Sequence, residues 1–168
     1  TRNYYLVLHR GSVDINKSIY FSLSAYERIK TSSVNVSISG TASNKGNSSI
    51  SMSGVDSSVI SVNLTNDTKI PNKAIVTRIS SSGTQSPSQG NVHHMIMPAS
   101  NGNWYTSTVS SASSGHYNID IDDGIPVKQK WSFKYNALAT AKSTMRNVKL
   151  TIEFQYDLHD TDYETYIR

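Results

Sequence analysis

The sequence predicts an all-β protein, a two-sheet antiparallel β-sandwich of about eleven strands with minimal helix. Three observations predict it. Segment after segment alternates apolar and polar residues, the period of a strand with one dry and one wet face. Gly, Asn, Asp and Pro separate these segments at short intervals. Ser, Thr and Asn fill the polar positions, so charged residues make up only 17% of the 168. Ten Tyr and many Val and Ile set this composition apart from that of a disordered chain. The length suits one domain spanning 1–168, with 1–10 an exchanged or edge strand and 159–168 a charged, aromatic tail. A jelly roll is the preferred sandwich. An immunoglobulin-like one is the alternative, since a chain without cysteine lacks the Cys…Trp…Cys pattern.

The chain opens on a continuous apolar run, Tyr4, Tyr5, Leu6, Val7 and Leu8. Such a run fits a strand buried on both faces, or one that pairs with a neighbouring molecule. Residues 17–25 alternate through Ile19, Phe21 and Leu23, and 26–30 suit one helical turn. Residues 33–39 set Val34, Val36 and Ile38 on one face; 48–53 set Ile50 and Met52 together; 57–64 do the same with Ile60, Val62 and Leu64. Residues 74–79 make a further strand, and the Ser-, Gly- and Gln-rich 80–91, without an apolar residue, reads as a mobile loop.

Residues 92–97 form a short strand ended by Pro98, Asn101-Gly102 signals a hairpin, and 104–109 is the return arm. Residues 116–121 alternate through Tyr117 and Ile119. Residues 127–135 place Val127, Gln129, Trp131, Phe133 and Tyr135 on one face, and the Ala-rich 136–144 suits a short helix or crossing loop. The longest alternation closes the pattern at 147–158, with Val148, Leu150, Ile152, Phe154 and Tyr156 on one parity. At about 3.3 Å per residue this spine spans some 40 Å and requires a second layer to cover it.

Candidate chemistry is sparse. Asp120, Asp122 and Asp123 precede Gly124 and could offer oxygens to calcium, but the EF-hand spacing is absent, and turn capping accounts for the cluster. His93 and His94 point to opposite faces of one strand, and no acidic residue stands at strand spacing beside them. His9, His116 and His159 are single, so no metal site is expected. No Gly-x-Ser-x-Gly elbow occurs, and Glu153 on the spine has no assignable carboxylate partner. The sequence is therefore read as no enzyme, with no cofactor.

Three functions remain. The leading expectation is a structural subunit that self-assembles by strand pairing into a surface fibre, appendage or virion component, with Tyr4–Leu8 as the assembly edge. Its partners are copies of itself or other surface subunits, and its location is extracellular, on a cell surface or in a virion. The alternative is a carbohydrate-binding or adhesive module, in which Trp104, Tyr105 and Tyr117 form an aromatic platform for glycans. Trp131, sharing parity with Phe133 and Tyr135, belongs to the core. A membrane-active toxin is third, because the alternating strands within 32–65 are interrupted by Gly40 and Gly54 and fall short of the 9–11 residues that inserted strands need. No apolar run is long enough for a membrane helix, and no leader pattern opens the chain. Lys and Arg are scattered, so the net charge of +4 implies no nucleic-acid partner.

Overall fold

Each alternating segment has one face to hide, and in the computed structural model the segments hide those faces against one another. The structure describes residues 27–90, 92–111, 116–121 and 124–158, with scattered positions between 11 and 22. The expected first strand Tyr4–Leu8, most of 17–25, the pair Asp122 and Asp123, and the tail 159–168 lie outside the described residues. In chain order the strands are β1 (Ile29–Ile38), β2 (Ala42–Asn44), β3 (Val55–Asp56), β4 (Ile60–Asn63), β5 (Ile75–Ser86) and β6 (Val92–Pro98). They continue with β7 (Tyr105–Thr106), β8 (Thr108–Ser111), β9 (His116–Ile119), β10 (Lys130–Ala137) and β11 (Ser143–Asp157).

The protein is a two-sheet antiparallel β-sandwich. One sheet runs β1-β11-β5-β9-β8, with β2 continuing β1 along β11. The other runs β3-β10-β6-β7, with β4 also on β10. The expected spine is the centre of the larger sheet, paired with β1 along one side and β5 along the other. Its dry row (Val148, Leu150, Ile152, Phe154) meets Trp131, Phe133 and Tyr135 of β10 in one core, all seven at most 1% exposed. Burial at about 1.5–3 kcal/mol per large side chain is what holds the layers together. Trp131 Nε1 donates to the Val127 carbonyl at 2.9 Å, so its one polar atom is satisfied inside.

Four expectations change. First, the spine starts earlier: Ser143 and Met145 are already buried, on the opposite parity to Val148. A bulge reconciles the two rows. Asn147 takes a positive φ of 53°, and pairing with β5 shifts register between Arg146 and Lys149. The Ala-rich stretch is thus the end of β10, a turn and the start of β11; among the described residues there is no helix.

Second, the first part of the expected Ser-rich loop, 80–86, is strand, and of its described residues only 87–90 lie outside one. β5 runs on to Ser86 along β11, with β9 on its other side at Ile79–Ser81, and has small residues where its face turns inward. Ser81 is 2% exposed, and a Cβ on Gly83 would stand 2.9 Å from Met145 Sδ. Bulk supplied by other strands fills the space, so side-chain volume here would be an obstacle.

Third, residues 48–53 form a loop that leaves Ile50 and Met52 exposed. The buried Asn47 side chain captures it: its Nδ2 donates to the Ser51 and Leu138 carbonyls, and its Oδ1 accepts from the Ser51 N–H. An Asn that satisfies the backbone itself competes with strand pairing. Fourth, the return arm of the 101–102 hairpin divides. β7 pairs with β6, and after Ser107 the chain crosses to the other sheet as β8.

Candidate functional site

The three rings expected to form a platform are parted by strand geometry. Trp104 stands just before β7 and Tyr105 opens it, and the two rings go to different partners. Tyr105 packs against the core, its hydroxyl accepting from Asn101 Nδ2 at 2.8 Å. Tyr117 lies between the sheets, 9% exposed, and stacks on His94 with ring centroids 3.6 Å apart and planes at 12°. Trp104 alone is left on the outer face of the smaller sheet, where Lys134 Nζ sits 4.4 Å from its ring centroid.

Lys134 links that ring to a carboxylate. Its Nζ reaches Asp56 Oδ2 at 2.5 Å, while Asn136 Nδ2 donates to Asp56 Oδ1 at 2.8 Å. Partial burial on its own would raise the Asp56 pKa; the hydrogen bonds from Lys134 and Asn136 and the Lys134 charge outweigh it and hold the carboxylate below its ordinary value. Trp104, Lys134, Asp56 and Asn136 thus form one polar–aromatic patch. The sequence reading missed the last three. Parity does place Lys134 and Asn136 on the wet side of β10, but only the pairing of β10 with β3 brings in Asp56, 78 residues from Lys134.

A Ser–His pair also exists, in the wrong place for chemistry on a substrate. His94 Nδ1 and Ser81 Oγ lie 2.8 Å apart and join the two sheets through the core. Both are buried, at 1% and 2% exposure, and Phe133 presses edge-on against the imidazole. Desolvation holds His94 neutral, its pKa lowered to about 3. With Tyr117 above and Phe133 beside it, the pair is a polar tie within the core. His93 faces outward, as parity required. Asp120 is exposed, and no group of three metal-ligating side chains occurs among the described residues.

The assembly segment Tyr4–Leu8 lies outside the described residues. Another edge is visible. β1 pairs with β11 over ten consecutive residue pairs, and among the described residues no strand lies on its other side. Among the described residues no helix is long and apolar enough to cross a membrane.

Fold and surface together define a β-sandwich with a β1 edge that no strand covers among the described residues and a polar–aromatic patch around Trp104. No protein-family model matches the chain. It is 50% identical over 158 residues to the Uncharacterized protein YbdN of Bacillus subtilis (strain 168), an alignment covering 94% of this chain and 55% of YbdN. The chain therefore spans about half the length of that curated relative.

Proposed function

We propose that the chain is a non-enzymatic structural subunit that assembles with copies of itself by β-strand pairing, as part of a surface fibre, appendage or virion. The observation that supports this reading is the edge of β1. Sandwiches that stay monomeric blunt their edges with prolines, bulges, inward charges or short strands. β1 has ten residues, no proline, no register shift against β11, and Lys30 as its one charge. The N–H and C=O groups on its outer side, which pair with no strand among the described residues, form a template for a second chain.

Two lysines on its wet face test the reading. Thr31 and Ser33 are exposed, and like charges brought opposite one another across a new strand pair would repel. Wild-type protein is expected to sediment as a concentration-dependent oligomer, and T31K/S33K as a monomer with unchanged circular dichroism. A wild type that sediments as a monomer at every concentration overturns the proposal.

One observation favours a second reading, a glycan-binding or adhesive module: Trp104 on the outer face beside Lys134, Asp56 and Asn136, a ring flanked by hydrogen-bonding groups. A glycan array with wild type and Trp104→Ala separates the two. Binding that disappears in the variant supports this reading, and an array without signal removes it.

A further inference from the structure

The bulge in β11 does more than reconcile two rows of core residues. It turns Arg146, Asn147 and Lys149 to solvent in close succession, where an unbroken strand would have sent Arg146 and Lys149 to opposite faces. Bulges are the usual device for re-aiming side chains at a site. Opposite this one, the link between β1 and β2 passes through Ser39 and Gly40, and between the two lies a groove of about 600 Å³. A second hollow of about 330 Å³ lies further along the same seam, where Lys45 and Lys142 stand beside Ser86 and Thr144.

Lys45, Lys142, Arg146 and Lys149 are all exposed, and none makes an ion pair or side-chain hydrogen bond among the described residues. The next acid along β11 is Glu153, beyond the groove. At about 3.3 Å per residue the strip from Lys142 to Lys149 is roughly 20 Å long. By the same rise Arg146 and Lys149 lie roughly 10 Å apart along the strand and Lys142 about 13 Å before Arg146, somewhat beyond the screening length of about 8 Å in physiological salt, so their fields overlap in part and add more fully at low salt.

We infer that this seam is a binding site for an extended, hydroxyl-rich polyanion, an acidic polysaccharide whose carboxylate or sulfate groups fall on the two cationic hollows. Four unpartnered cations in line suit a repeating anion better than a single small one, since engaging both hollows at once multiplies their affinities. The lining hydroxyls (Ser37, Ser39, Ser86 and Thr144) suit sugar hydroxyls. Neither hollow is lined by an aromatic ring, and single-stranded nucleic acid is held largely by stacking on such rings. The site shares no residue with the Trp104 patch and does not depend on assembly through β1.

Heparin and polygalacturonate serve as probes, with neutral dextran and an oligothymidylate of similar length as comparisons, each followed by fluorescence anisotropy at low and moderate salt. Both acidic polysaccharides are expected to bind, with affinity falling as salt rises, and dextran is not. R146Q/K149Q and K45Q/K142Q are each expected to weaken binding about tenfold or more, the range of a charge-assisted contact removed. K69Q/K130Q, which lowers the net charge equally at exposed positions outside the seam, is expected to bind like wild type. Equal weakening in that control, tighter binding to oligothymidylate, or no polysaccharide binding even at low salt would each overturn the inference.

Discussion

The buried tie between His94 and Ser81 makes stability depend on pH in a way that can be worked out in advance. In the unfolded chain an imidazole titrates near 6.5; in the folded protein burial lowers that to about 3. Below pH 6.5 the unfolded chain therefore binds a proton that the folded protein does not. The stability at issue is complete above pH 6.5 and declines by about 1.4 kcal/mol per pH unit until about pH 3. From pH 7 to pH 4.5 the loss is about 2.5 kcal/mol. Asp56 stays outside this window: its folded pKa lies below the ordinary 3.8, so its contribution is present above 3.8 and is lost only as pH falls further. His94→Phe keeps a ring against Tyr117 and removes the titration, while leaving Ser81 unpaired at a cost of about 1–3 kcal/mol at neutral pH. Urea denaturation at pH 7 and pH 4.5 reads both effects. Wild type should lose about 2.5 kcal/mol more than the variant across that interval. An identical loss in the two proteins would mean that His94 reaches solvent, and the reasoning fails.

Two further outcomes follow from packing. Leu150→Ala removes a fully buried side chain from the central strand and should cost about 2–5 kcal/mol in urea denaturation, without changing oligomeric state. Gly54 and Gly102 share a φ of +70°, but a Cβ at Gly54 would meet Asn136 Oδ1 at 2.2 Å and one at Gly102 meets nothing within 4 Å. Gly54→Ala should therefore lower the melting temperature clearly more than Gly102→Ala, which bears only the conformational strain of about 1 kcal/mol.

Much of this fold was legible in local pattern. The rows at Val148–Phe154 and Val127–Tyr135 needed only odd and even positions, and the same rule assigned Trp131 to the core and turned His93 outward. The failures have non-local causes. Ser81 and Gly83 carry no apolar signal because the volume at their positions belongs to His94 and Met145, contributed by other strands. The alternation of Ile50 and Met52 imitates a strand, and one buried Asn47 amide overrides it. The bulge at Asn147 reverses parity within β11, and its one local trace is an Asn, a residue that tolerates positive φ.

The outer surfaces were harder still. Trp104 was singled out from its place beside a turn, yet its companions Lys134, Asp56 and Asn136 come from strands far apart in the chain. Tyr117 carries the same alternating signal whether its ring faces solvent or the core, and only its stacking on His94 decides between them.

The sharpest test of assembly through β1 uses the absence of cysteine from the chain, which makes one introduced thiol a unique reporter. A nitroxide on Ser33→Cys should show strong spin–spin broadening between molecules in the assembled state, because paired strands lie about 5 Å apart. The same label on Lys69→Cys, in a loop away from β1, should show none. Assemblies in which Ser33 reports no neighbouring spin, or in which the two labels behave alike, would contradict the account.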